Sequence, residues 1–593
     1  MNTILAISFS CLLLILAANA QQRHQPSDSP PVTITVTQPA GPSVFFAANG
    51  NDNNPCSQTA PCQTLAKASL FTYQPGATIN FRGGDTFLGE FHLARLQVPS
   101  GGDPNNPIII QSYGGGRATI ASNQDGVNGV NLGPKNWAML IDCTSGVTVR
   151  DLNVSANGHY VQYGIIVQNT CGTRVLQQDY AQQQAAGMIH NIIVQRVDVS
   201  GFTLHGPAPY DNGAQIMIAG FAEVVNRGTC GPIDNVQILD SKVHGDTISS
   251  ESFDGISTKH CNNLWNITFR GNEAYYLGGI AGVGGGNGLF MQGVTNGLME
   301  HNHAHHLMYN LTQVECGGPY AIWAYDPHTS NITIQFNEVD HVGPSTWPNG
   351  SCDFGAYDFD DGVTNSTIQY NYSHDNAGPA VLNYGSASNN TIRYNISVND
   401  GFRGGNRGTA IDLNPNGTPS GPNYIYNNTV IGPYARASFS AYSYGPGTLF
   451  KNNIFINTAL DPAGNWMGSS PLPGSAGNLT VSNNIYFTTV PNPPAIKFCI
   501  GGGCSDFATW QGAGWETNSL VANPQLTNNS GTPADITWDP TQHTGPQPQP
   551  SYQQLLPGSP ALGAGVSIPN NGGRDYYGNA VPATGAVNIG AFQ

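Results

Sequence analysis

Positive charge is scarce in this chain. Lys and Arg together number 20 of 593 residues, charged residues make up 9%, and the formal net charge is −16. So few cations on an acidic surface repel nucleic acid, which is excluded as a partner, and give little grip on polyanions. Long apolar runs are scarce too. After the first twenty residues none reaches the roughly 18 that span a bilayer, so no membrane span is expected. Stretches rich in Leu, Glu, Lys and Ala are missing, while Gly (73 residues), Asn, Val, Ile and Thr abound. That balance excludes a helical bundle. It points to one long all-β architecture instead of the roughly four domains that length alone implies.

The one apolar run is terminal. "MNTILAISFSCLLLILAANA" has a polar start, an apolar centre and a small-x-small end at Ala18-Asn19-Ala20, which reads as a signal peptide over 1–20 and a secreted product. Of the eleven cysteines, Cys11 leaves with that segment, and an even set of ten remains for an oxidising compartment. Near neighbours are the expected disulfides: Cys56 with Cys62, Cys143 with Cys171, Cys230 with Cys261, Cys316 with Cys352 and Cys499 with Cys504. None has zinc-ribbon spacing, so no structural metal is expected; no cofactor is expected either, unless the protein is a lyase that uses Ca²⁺.

What the chain does contain is a repeat. "NITFRGNEAYY" at 266 returns as "GLMEHNHAHH" at 297, "NITIQFNEVDH" at 331, "STIQYNYSHD" at 366, "TIRYNISVND" at 391, "YIYNNTV" at 424, "LFKNNIF" at 449 and "TVSNNIY" at 480. Aligned, these put Asn272, Asn302, Asn337, Asn371, Asn395, Asn427, Asn452 and Asn483 in one column at intervals of 24 to 35 residues. Stacked parallel coils, each touching only its neighbours, fit that period. At the strand spacing of about 4.8 Å, turn asparagines bond up and down the stack. Such an asparagine ladder resembles the right-handed parallel β-helix of the pectate-lyase-like superfamily. The resemblance implies an all-β solenoid with a short N-terminal cap helix near Thr64 to Leu70. It divides the chain into a flexible segment (21–40), a cap with first coils (41–140), repeats (141–490) and C-terminal coils with a cap (491–593). The fold hosts hydrolases, lyases, epimerases and inert spikes, so function must come from a site.

A second strand precedes each ladder strand: "DGISTKH", "NGLFMQG", "YAIWAYD", "GAYDFDD", "PAVLNYG" and "TAIDLNP". With Ile256, Leu289, Ile322, Tyr357, Val381 and Ile411 inward, period-two alternation sets pairs outward. These are Ser257/Lys259, Phe290/Gln292, Trp323/Tyr325, Asp358/Asp360, Leu382/Tyr384 and Asp412/Asn414. Aromatic faces stack on sugar rings, and carboxylates act on glycosidic bonds. Asp358 and Asp360 are therefore the expected catalytic pair, with Asp326 as an alternative partner. Trp323, Tyr384, Phe290, Lys259, Asp412 and His374 are expected to bind substrate. Residues i and i+2 on a strand lie about 6.6 Å apart, between the retaining and inverting separations. Sharing a proton, they supply one acid and one base.

Two further resemblances bear on this face. "DGIST" at 254 loosely resembles the first acidic motif of polygalacturonases, but Asn287 and Gly288 stand where that family places an Asp-Asp pair. "YDPH" at 325 resembles the Asp-Pro-His motif of alginate C5-epimerases; that implies Tyr325 and His328 as acid and base with Asp326 assisting. Uronate chemistry also needs a cation, such as bound Ca²⁺ in a lyase, whereas the neighbouring coils place Gln292 and Asp360 in that column. A histidine column, His303, His305 and His306 beside Glu338, Asp340 and His341, has spacing that gathers metal ligands, but is expected to line the turns. The expectation is a monomeric, secreted glycoside hydrolase acting on a polysaccharide. The alternatives are a polysaccharide lyase or uronate epimerase, and a non-catalytic glycan-binding spike.

Overall fold

The computed structural model describes residues 38–39 and 42–593, apart from 126–135, 173–179, 204–212, 219–230, 249, 260, 281–284, 312–319, 344–353, 402–408, 415–420, 433–438, 442–444, 460–478, 501–502 and 531–552. The expected signal peptide and almost all of the following segment lie outside these residues.

Three parallel sheets run along the chain. The first spans Ser43–Phe46 to Leu479–Ser482, the second Thr86–Leu88 to Leu520–Val521, and the third Phe91–Leu93 to Phe439–Ala441. One coil is enough to show the plan. Asp254–Thr258 lies in the third sheet, Leu264–Arg270 in the first and Glu273–Tyr275 in the second; Leu289–Gln292 then starts the next coil beside Asp254–Thr258. This is the right-handed parallel β-helix that the repeat implies. Inward residues of successive coils sit in register: Ile256, Leu289, Ile322, Tyr357, Val381 and Ile411 form one buried column. Their stacking removes apolar surface from water at about 25 cal/mol per Å². Among the described residues no helix is long and apolar enough to cross a membrane. A four-residue helix spans Leu65–Ala68, with the Thr64 hydroxyl accepting from the Lys67 N–H at 3.0 Å and Leu65 and Ala68 buried.

The asparagine ladder occupies the corner between the first and second sheets. Asn337 donates from Nδ2 to the Met299 carbonyl (2.9 Å) and to Asn371 Oδ1 (3.0 Å), and its own Oδ1 accepts from the Asn302 N–H and Nδ2 (2.9 Å each). The same pattern joins Asn272, Asn302, Asn371 and Asn395. Beyond Asn395 the expected column is one residue out. The ladder continues through Asn428, Asn453 and Asn484, not Asn427, Asn452 and Asn483. Each of the last three has φ near +56° and fills the left-handed turn position just before the ladder, where Phe336, Tyr370 and Tyr394 stand in earlier coils. In an Asn-Asn pair both side chains suit a turn, so spacing alone did not tell them apart. A second polar column, Ser366, Asn390, Asn423 and Thr448, joins the third sheet to the first.

The ladder ends on a buried acid. Asn484 Nδ2 donates to Glu516 Oε2 (3.0 Å), which also accepts from Ser519 Oγ (2.6 Å); Tyr486 OH bonds the other oxygen. Burial pushes this carboxyl up to about 7, against those hydrogen bonds. A carboxyl raised in the folded state contributes stability in full below its unfolded value and loses it as pH rises through the folded one. Glu516→Gln should therefore gain on the wild type as pH rises from about 5 to about 8. A melting-temperature difference that stays flat over that range contradicts this assignment.

The C-terminal residues turn back along the outside of the coils. Asn427 Nδ2 donates to the carbonyls of Asn588 (2.9 Å) and Gly590 (3.0 Å), Asn452 Nδ2 to that of Val566 (2.8 Å), and the Arg574 guanidinium lies over the rings of Phe336 (4.9 Å) and Tyr370 (5.2 Å). Two expected disulfides, Cys56–Cys62 and Cys143–Cys171, are present, and Cys261 is also disulfide-bonded. Cys499 faces Cys504 across the antiparallel pair Lys497–Ile500 and Gly503–Asp506. Cys230, Cys316 and Cys352 lie outside the described residues. Titrating the unfolded, non-reduced mature protein should find almost no free thiol; two or more would overturn local pairing, which is worth ~2–4 kcal/mol per bond.

Candidate functional site

The outer face of the third sheet carries two columns. The deeper one runs Met217, Ser257, Phe290, Trp323, Asp358, Leu382 and Asp412 in direct register. All seven are buried. Phe290 and Trp323 stack with centroids 4.3 Å apart and form an apolar cluster with Tyr320 and Leu382. The expectation of exposed Phe290 and Trp323 rings is thus corrected: these outward side chains pack on one another. Asp358 stands between Trp323 and Leu382 at 0% exposure, and Asp412 is buried below Leu382.

The second column is shallower. Gln292 pairs with Tyr325, and continuing the registers that join Ala324 to Phe359 and Phe359 to Asn383 sets Asp360 between Tyr325 and Tyr384. These last three are half-buried. Phe359 points into the core, so Asp358 and Asp360 share the outer face as alternation requires. Asp360 also serves its own turn, its Oδ1 accepting the Asp361 N–H at 2.6 Å. The following Gly362 has φ +93°, and a Cβ there would meet Pro327 Cα at 2.6 Å. The "DDG" turn therefore packs directly on the "DPH" turn of the preceding coil.

In that turn a buried carboxylate orients a histidine. Asp326 Oδ1 accepts from the His328 N–H (2.9 Å) and lies 2.7 Å from its Nδ1, while Gln292 Nε2 donates to Oδ2 (3.2 Å). The His328 side chain is 49% exposed. Asp326 thus fixes one ring nitrogen and leaves Nε2 facing outward. Lys259 is committed elsewhere: its Nζ is 2.7 Å from Asp254 Oδ2, with both side chains buried and Ser257 and Asn287 also donating to that carboxylate. Lys259, expected to contact substrate, is one half of a buried ion pair.

His374 does not join these residues. It lies on the outer face of the second sheet, buried, with Nδ1 3.0 Å from Asp375 and Nε2 3.4 Å from Glu338. Burial opposes its protonation, but those carboxylates push it up to about 10. It was expected to bind substrate, but its strand belongs to the second sheet and not to the one that carries Asp358 and Asp360. Sequence reasoning passed over Tyr320, and it noted Asp254 only within a loose motif and not as the partner of Lys259. Alternation from inward Ile322 would set Tyr320 inward as well, yet at the strand's start it joins the cluster of Phe290, Trp323 and Leu382, so strict alternation gave no signal for it.

No protein-family model matches the chain, and no curated protein matches it by sequence. Solved structures match in fold. A lacto-N-biosidase of family GH136 from Eubacterium ramulus shares 18% identity over 75% of this chain and 67% of its own, with a TM-score of 0.47. Pectate lyase Pel9A shares 13% over 95% and 97%, with a TM-score of 0.40. An alginate lyase from Paenibacillus sp. str. FPU-7 shares 14% over 64% and 98%, with a TM-score of 0.38. No residue role passes from these three to the present chain.

Proposed function

We propose that this protein is a secreted carbohydrate-active enzyme that hydrolyses a polysaccharide at the outer face of the third sheet. The observation that carries the reading is Asp360 held between Tyr325 and Tyr384 at the surface, with Asp358 behind it on the same face. Tyrosine rings one coil above and one below a carboxylate offer stacking surfaces to sugars on either side of a scissile bond. Asp358, walled by Trp323 and Leu382, is the proton donor of this scheme. Asp360, at the surface, is the base or nucleophile. Because Asp358 is fully buried, the side chains over it must shift for sugar to reach it.

A second reading rests on the Asp326–His328 pair. An oriented imidazole beside Tyr325 suits proton abstraction from a uronate, as in a lyase or epimerase. The buried Lys259–Asp254 pair weighs against it, since that chemistry needs a cation on the substrate carboxylate.

A glycan panel read for both reducing ends and absorbance near 235 nm separates the two. Hydrolysis releases reducing ends without absorbance, whereas unsaturated products would establish a lyase and overturn the primary reading. No release from any neutral or acidic polysaccharide would leave a glycan-binding protein.

A further inference from the structure

The second sheet has an outer face of different chemistry. His303 and Glu338 are direct neighbours on adjacent strands, and Asp340 lies two residues along from Glu338 on the same side, with Val339 between them in the core. We propose that His303, Glu338 and Asp340 bind a divalent transition-metal ion.

Three observations carry this. Donor atoms of the three residues lie within 4.8 Å of one another. Glu338 is 1% exposed, and its Oε2 is buried without any hydrogen-bond partner, while Oε1 lies 3.4 Å from His374 Nε2. A buried carboxylate oxygen without a donor is costly, and a cation among these three residues satisfies it. The ligand set is also selective. One imidazole nitrogen with two carboxylates suits Zn²⁺, Co²⁺ or Mn²⁺, whereas Ca²⁺ and Mg²⁺ prefer oxygen alone.

The site asks for a small adjustment. His303 Nε2 lies 2.6 Å from Asp340 Oδ2, a hydrogen bond. Two ligands at metal bonds of about 2.0–2.1 Å in tetrahedral geometry stand roughly 3.3 Å apart, so the pair must open by roughly 0.7 Å. The ion displaces the Nε2 proton to solvent. Asp340 Oδ1 stays with His341 Nδ1 at 2.6 Å, an outer hydrogen bond that orients the ligand. This face is separate from the third-sheet site, so the proposal stands apart from the hydrolase reading.

The test uses the whole protein, stripped with a chelator and titrated with Co²⁺ by visible absorption and with Zn²⁺ by calorimetry. One ion per chain should bind, with d–d bands from the Co²⁺ form. Glu338→Gln and His303→Gln should each weaken binding at least ~30-fold, whereas His159→Gln, at a half-buried histidine paired with Asp125 and outside the three ligands, should not. Circular dichroism checks the fold of the variants. Should either fail to fold, Zn²⁺ must still raise the melting temperature of the stripped wild type, as any ligand of the native state does. No saturable binding at micromolar concentrations, or equal binding in wild type and both variants, would overturn the proposal and leave imidazolium–carboxylate pairs only.

Discussion

Asp358→Asn and Asp360→Asn should each keep the fold and lower turnover at least ~100-fold, since a general acid or base contributes that much. The side chains are isosteric with the originals and leave the register from Trp323 to Leu382 untouched. The two losses should not multiply in the double variant, because acid and base act in one step. Asp361→Asn should cost little: its Oδ1 accepts the Ser386 N–H at 3.3 Å, which an asparagine oxygen does as well. Tyr325→Phe and Tyr384→Ala should raise KM more than they lower kcat. His328→Ala is the informative contrast. It leaves kcat of a hydrolase largely intact but abolishes turnover if the Asp326–His328 pair moves the proton. Full activity in both aspartate variants would mean that Asp358 and Asp360 only shape the edge of the coil.

Asn337→Ala should be among the most destabilising single changes in the chain. It deprives the Met299 carbonyl and the Asn302 N–H of their side-chain partner inside the stack, at ~1–3 kcal/mol for each buried group left unsatisfied. The side-chain amides of Asn302 and Asn371 lose a partner as well. Asn53→Ala, on an exposed turn, is the control and should cost almost nothing. Equal melting temperatures for the two variants would refute the hydrogen bonding described for this corner.

The inward column was legible because period-two alternation is rigid: once Ile256 points in, Ile322 and Tyr357 follow in register, and so do the outward pairs. The ladder was legible from Asn272 to Asn395, where a single asparagine follows Gly, His, Phe or Tyr, and slipped where asparagines came in pairs. Exposure was not legible. Alternation says that Trp323 and Asp358 leave the sheet but not whether they then meet water. Nor was the burial of His374 beside Asp375 and Glu338, for the same reason. The Lys259–Asp254 pair escaped for a simpler reason: Lys259 follows the end of the strand that Asp254 begins, and alternation carried past that end sets the two on opposite sides.

The return of the C-terminal residues along the coils has a mechanical consequence. In a simple stack, load passes from each coil to the next, and the end coil is the first to peel. Here Asn588 and Gly590 are tied to Asn427, Val566 to Asn452, and Arg574 to Phe336 and Tyr370, bridging sequence gaps of up to 163 residues among the hydrogen bonds alone. Tension at residue 593 therefore shears a lateral seam before it reaches any coil, as a stitched hem protects the edge of a cloth. Because the seam is synthesised after the coils it fastens, the rings of Phe336 and Tyr370 face solvent on a nascent chain until Arg574 arrives to cover them.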